Sequence, residues 1–281
     1  MPFAHVSDIS IYYEVLGDSG SPIVLINGYS CTKVDWDLSQ LQRMASRHRV
    51  VILDNRGVGQ TDKPSTLYTM RGFAADVIGL LDALAIDRAH IMGVSMGGMI
   101  AQHVALDYPE RVLGLVLGCT AAGEPGKIFP ISPSNEVVEF LARPSSGDRA
   151  KDNRDAWPVI YSRQFIEGNH AYLEAHLQDS LEYPESPLYA LQLQLEAILN
   201  THDTLHRLSD IRHPTLVQTG LLDVMIPPGN SRILADRIPN AHLIEYPGAG
   251  HGYLDEVGST AVDDILSFLA VIDVQTLGSE L

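Results

Sequence analysis

Ser95 is the residue of this chain best placed for nucleophilic chemistry. It stands in Gly93-Val94-Ser95-Met96-Gly97, a Gly-x-Ser-x-Gly pattern with the apolar run His90-Ile91-Met92 before it and Gly98-Met99 after it. The pattern predicts a strand, a tight turn carrying the serine, and a helix that begins at once. Such a turn holds the serine with strained backbone angles. It also needs glycine two residues to either side, where a side chain would strike the neighbouring strand or helix. The turn lifts the hydroxyl above the sheet, and the new helix points its free N–H groups and positive dipole end at whatever reacts there. A serine hydroxyl barely ionises at neutral pH, so it needs a base within hydrogen-bond reach.

The elements that must position Ser95 follow from hydropathy. Ile9, Ile11, Tyr13 and Val15 alternate with polar neighbours, the period of a half-exposed strand, after a short first strand near Ala4-His5-Val6. Ile23–Ile26, Val50–Leu53 and Val112–Leu117 are runs of the kind buried on both faces of a parallel sheet, and the strand delivering Ser95, Thr215–Thr219 and His242–Tyr246 complete the set. Helices are predicted near Trp36–Met44, along the face of Phe73, Val77, Leu80, Leu81 and Leu84, after Ser95 to about Asp107, and along Val262, Ile265, Leu266 and Leu269. Strands alternating with helices predict an α/β fold: a mostly parallel, eight-stranded sheet with helices on both faces. Between Gly118 and Leu208 the alternation fails. Helix formers (Ala171 to Gln178, Leu188 to Leu199) and breaks at Pro130, Pro133, Pro144, Pro158, Pro184 and Pro187 predict a helical insertion. The expected division is a core of 1–124 and 208–281 and a helical cap of 125–207, placed to enclose a site beyond the carboxyl ends of the strands.

Composition narrows the partners. The 19 basic against 35 acidic residues give a formal charge of −16, which leaves no basic footprint for nucleic acid or an anionic membrane. No apolar run approaches the roughly 18 residues that a span requires. Two cysteines, Cys31 and Cys119, make no disulfide framework and fit a reducing compartment. The N-terminus lacks the pattern of a signal peptide, so a cytoplasmic protein is expected, acting on a small molecule; a homodimer is compatible with the sequence.

The chain resembles the α/β-hydrolase family, in particular its small capped members of the esterase and enol-lactonase type. The resemblance runs from Ile9 to Leu269 and weakens in the insertion. It is carried by Asn27-Gly28, Asp54-Asn55-Arg56-Gly57-Val58-Gly59, the Ser95 motif, Gly220-Leu221-Leu222-Asp223 with Pro227, and Gly250-His251-Gly252. The family order of nucleophile, acid and histidine implies a triad of Ser95, Asp223 and His251. His251 lies in a glycine-rich loop flexible enough to present its ring, and an unperturbed imidazole titrates nearest pH 7. Asp223 would accept the other ring N–H and fix the tautomer. Some related enzymes take the acid from the loop after Val112–Leu117, where this chain offers Cys119, Thr120 and, nearest among carboxylates, Glu124. The other ten histidines are assigned to surface or packing. His202 and His206 have the spacing of a helical metal pair, but nothing nearby completes a site, so no metal is expected.

The residue after the nucleophile, Met96, is expected to supply one oxyanion-hole N–H, and the resemblance implies Tyr29 as the other. Asn27 stands where a histidine usually precedes the glycine, a change that bears on the bonding of that loop. Asp54, Arg56, Gly57 and Gly59 are read as scaffold, with Arg56 paired to a carboxylate to hold its loop against the oxyanion loop. Cys31 is read as a small buried residue. Trp157, Tyr161 and Phe165, at i, i+4 and i+8 on one helical face, together with Met225 and Leu254, are candidate substrate contacts.

The expected activity is hydrolysis of a carboxylic ester or lactone with a modest, largely uncharged acyl part, through an acyl-enzyme and with no cofactor. C–C bond hydrolysis, perhydrolysis, thioester cleavage and cyanohydrin lysis use the same residues on the same scaffold. Epoxide hydrolysis and haloalkane dehalogenation need a carboxylate where Ser95 stands. A receptor-like member binding its ligand under the cap is the non-enzymatic alternative.

Overall fold

Period-two alternation within the buried strands decides how the sheet is covered. The computed structural model describes the chain except Met1, Pro125, Ile128, Pro144, Glu280 and Leu281. Residue 125, the expected start of the insertion, and the break expected at Pro144 lie outside the described residues. The strands are β1 (Phe3–Val6), β2 (Ile9–Leu16), β3 (Pro22–Ile26), β4 (Arg49–Leu53), β5 (Ala89–Val94), β6 (Val112–Gly118), β7 (Thr215–Gly220) and β8 (Ala241–Tyr246). They form one eight-stranded sheet in the order β1-β2-β4-β3-β5-β6-β7-β8. The pairings of β1 with β2 and of β2 with β4 are antiparallel, and all the others are parallel.

In β3, Ile23 and Leu25 point to one face and Val24 and Ile26 to the other. The first face is covered by α1 (Leu38–Ala45), α10 (Tyr253–Val257) and α11 (Ser259–Ser279), the second by α2 (Met70–Ala83), α3 (Met96–Asp107) and α9 (Gly229–Arg237). The first helix starts later than its apolar pattern suggests. Asp37 caps it, accepting the N–H groups of Ser39 and Gln40, so Trp36 stays outside it in extended conformation. None of the described helices is long and apolar enough to cross a membrane.

Between β6 and β7 the described residues form α4 (Asn135–Leu141), α5 (Arg149–Ile160), α6 (Arg163–Gly168), α7 (His170–Glu182) and α8 (Leu188–Thr201). The α8 residues Ala190, Ala197 and Ile198 join the core cluster on the α2–α3 face, which ties this segment to the sheet.

Candidate active site

The site lies along the carboxyl edge of four neighbouring strands. Ser95 directly follows β5, Asp223 comes three residues after β7, and His251 comes five after β8. Since β5, β6, β7 and β8 are consecutive in the sheet, residues distant in sequence emerge at one rim. The β7 and β8 exits are further joined by the Leu221 N–H to Tyr246 C=O bond of 2.9 Å and the Leu222 N–H to Ala249 C=O bond of 2.8 Å.

Ser95 has φ 55° and ψ −122°, in the left-handed half of backbone space that a side chain makes costly. Packing holds it there. A Cβ on Gly93 would lie 2.1 Å from the Gly97 carbonyl oxygen, and one on Gly97 would lie 2.0 Å from that of Ile26. Only glycine at both positions lets β5 turn directly into α3 against β3. The Ser95 C=O accepts the Thr120 hydroxyl at 2.7 Å, and its N–H donates to the Gly118 C=O at 2.9 Å.

His251 Nδ1 lies 2.8 Å from Asp223 Oδ2. The other carboxylate oxygen accepts the N–H groups of Met225 at 2.9 Å and Ile226 at 2.8 Å, so the acid is fixed by its own loop. Among the described residues no hydrogen bond of 3.5 Å or less joins Ser95 Oγ to His251, whose ring bond is the one to Asp223.

The loop after β3 crosses immediately over Ser95: a Cβ on Gly28 would sit 3.2 Å from the Ser95 Cβ. Among the described residues neither the Tyr29 N–H nor the Met96 N–H has an acceptor. Asn27 closes the loop by donating to the Thr32 C=O. Asn55 Nδ2 donates to the Asn27 C=O at 3.0 Å, and Asp54 accepts the Lys33 N–H at 2.7 Å. Asp54 and Asn55 therefore tie the 54–59 loop directly to the loop after β3. Arg56, expected in that role, instead pairs bidentately with Asp76 on α2 at 2.7 and 2.8 Å. The buried Asp76 carboxyl is pushed up by burial, against the pull of Arg56.

The expected aromatic face does not form. Trp157 ends up in α5, Tyr161 is extended between α5 and α6, and Ser162 caps α6 through the Phe165 N–H at 3.2 Å, so no single helix carries the three. Trp157 packs edge-on against His170, while Tyr161 stacks on Phe165. Tyr161 also covers Gly252 beside His251 and donates its hydroxyl to Asp255 at 2.9 Å. Met225 serves Asp223 through its backbone, and Leu254 is buried in the core cluster beneath α10 and α11.

Several site neighbours carried no sequence signal. Glu256 accepts the Gly250 N–H at 2.7 Å and the Ser162 N–H at 3.1 Å, and the Gly252 N–H donates to the Ile160 C=O at 2.8 Å. The His251 loop is thus stitched to the α5–α6 junction. Cys31 and Cys119 are free, and burial pushes both thiols well up.

His48, His90 and Asp273 bring three donor atoms within 4.8 Å of one another, at the opposite end of the strands from Ser95. There the Ser21 hydroxyl, 3.0 Å from both His48 Nδ1 and Asp273 Oδ2, completes a hydrogen-bonded chain. His202 and His206 make no pair: His202 is buried beyond the end of α8 against His103, and His206 is exposed.

A mostly parallel sheet whose central strand breaks into Gly-x-Ser-x-Gly and a helix is the architecture of the α/β hydrolases. The chain belongs to the alpha/beta hydrolase fold family, whose profile matches residues 21–256. It is 29% identical over 274 residues to the "Putative carbamate hydrolase RutD" of Azorhizobium caulinodans, covering 97% of this chain and 100% of that one. It is 31% identical over 251 residues to the poly(3-hydroxyalkanoate) depolymerase of Ectopseudomonas oleovorans, covering 89% and 84% respectively. Among solved structures it resembles Est816, described as an N-acyl homoserine lactone degrading enzyme, with a TM-score of 0.79, 30% identity, and 95% and 100% of the two chains covered.

Proposed function

We propose that this chain is a serine hydrolase that cleaves a carboxylic ester or lactone through an acyl-enzyme. Ser95 is the nucleophile, His251 the base and Asp223 the acid that orients it. The observation that carries the reading is the 2.8 Å His251–Asp223 hydrogen bond at the same sheet edge as a strained serine heading a helix. Residues 125–207 act as the cap over that edge.

Ser95 Oγ attacks the carbonyl carbon as its proton passes to His251 Nε2. The developing imidazolium is stabilised by Asp223. The oxyanion is met by the Tyr29 and Met96 N–H groups, assisted by the α3 dipole. Collapse breaks the bond to the leaving oxygen, which takes the proton back from His251. Water then adds to the acyl-enzyme, giving a proton to His251, and Ser95 recovers it as the carboxylic acid leaves.

Carbamate hydrolysis is the second reading, supported by the relative named for it; it runs through the same tetrahedral step. The test is stoichiometric labelling of Ser95 by an organophosphorus probe, followed by turnover on short-chain esters, N-acyl homoserine lactones and simple carbamates. Esters and lactones are expected to turn over and carbamates to lag. Preference for carbamates selects the second reading, and absence of labelling in folded protein removes the nucleophile.

A further inference from the structure

A side chain of the helical insertion grips the oxyanion loop at Ser30. Gln194, on α8, is fully buried, and both ends of its carboxamide are hydrogen-bonded to backbone. Oε1 accepts the Ser30 N–H at 3.1 Å, and Nε2 donates to the Arg56 C=O at 2.9 Å. A buried carboxamide is costly unless both ends are satisfied, and here the partners fix its flip, because Ser30 offers a donor and Arg56 an acceptor. The residue at the Arg56 end is itself anchored through its side chain, which pairs bidentately with Asp76.

The Ser30 end is the consequential one. Ser30 has φ 61°, a left-handed conformation that a non-glycine residue leaves unless something holds it. The held peptide joins Tyr29 to Ser30, next to the peptide whose N–H the proposed function assigns to the oxyanion. Relaxation of Ser30 would rotate the Tyr29 N–H away from Ser95.

We infer that Gln194 is a positioning residue for the oxyanion hole, fixing the Tyr29–Ser30 peptide so that the hole is complete only when α8 is docked on the loop. This rests on the serine-hydrolase reading above, and deepens it by making the insertion part of the transition-state machinery.

Gln194→Met keeps the volume and removes both hydrogen bonds. On an activated ester its kcat is expected to fall by about tenfold to a hundredfold, less than outright loss of an oxyanion donor, with KM changed less than about threefold. A trifluoromethyl ketone that forms a hemiketal on Ser95 is expected to lose affinity by the same factor as kcat/KM, as for any interaction made only in the transition state. Gln194→Glu, which keeps an acceptor for the Ser30 N–H, is expected to recover a substantial part of the loss. If the Met variant does not fold, Gln194→Leu, which also removes both hydrogen bonds, takes its place. Unchanged kcat, a loss confined to KM, or a Glu variant no better than a folded Met variant overturns the inference. Wild-type labelling and turnover are measured alongside: if these fail, the hydrolase reading fails, and if they hold while the variants match wild type, only the role of Gln194 does.

Discussion

Asp223 divides its two oxygens between different tasks. Oδ2 meets His251 Nδ1 at 2.8 Å, while Oδ1 is occupied by the N–H groups of Met225 and Ile226. The carboxylate is therefore locked by its own turn and cannot swing away from the ring. Asp223→Asn breaks this division, since an amide has one acceptor for three N–H donors and its NH₂ must face either the backbone or His251. The fall in kcat is expected to reach about 10³–10⁴-fold with KM little changed, read from ester turnover of folded protein. A fall below tenfold would move the orienting role to another group.

Packing around the serine turn makes a second expectation independent of activity. A Cβ on Gly97 would come within 2.0 Å of the Ile26 carbonyl oxygen, which belongs to a central strand with no room to shift. Gly97→Ala is expected to lose at least about 1–3 kcal/mol, the range for overpacking in a well-packed site. Thermal unfolding measures it; a melting temperature equal to wild type would show that β3 and α3 can part at no cost.

The strands and the Ser95 turn were legible because each is a local pattern: apolar runs for two-sided burial, and glycines wherever a Cβ would strike backbone. The single helical face expected of Trp157, Tyr161 and Phe165 does not form because its spacing crosses a helix boundary that Ser162 imposes by capping. The expectation for Arg56 found the right kind of interaction and the wrong partner, since Asp76 lies on α2, brought near by tertiary packing alone. Gln194 and Glu256 left no trace in the sequence. An isolated glutamine or glutamate acquires meaning only when a backbone N–H 164 or 94 residues away needs an acceptor.

Asn27 takes the place of a customary histidine, and its work is local. It donates across the loop to the Thr32 C=O, while its own C=O takes the Asn55 side chain at 3.0 Å. Asn27→Ala removes the first bond only, and kcat is expected to fall by about tenfold, a fraction of what losing an oxyanion donor costs. Asn55→Ala leaves the buried Asn27 C=O without its donor and is expected to cost about 1–3 kcal/mol of stability as well. Steady-state kinetics and urea unfolding of the two variants separate the effects; equal stability loss in both would show that the loop is held some other way.

The buried imidazole pair makes stability fall in mild acid. His202 Nε2 donates to the Ala121 C=O at 3.0 Å, so Nδ1 of the neutral ring accepts from His103 Nε2 at 3.3 Å. Burial pushes His202 down to about 3 and His103 to about 4. Asp203 and Asp107, opposed by Arg71 and Arg207, face His103 and only partly offset this. Both rings are neutral in the fold at pH 7, and in the unfolded chain both take protons near pH 6.5. Above that pH neither state binds protons there and the pair contributes no pH dependence. Below it the unfolded state binds more, so stability drops as pH falls from about 6.5 toward 4, by about 1.4 kcal/mol per pH unit for each histidine. His202→Gln removes one of the two titrations. Urea midpoints measured from pH 7 to 4.5 are expected to fall less steeply for the variant than for wild type by about one proton's worth of slope. Parallel profiles would mean that His202 takes its proton in the folded state as readily as in the unfolded one.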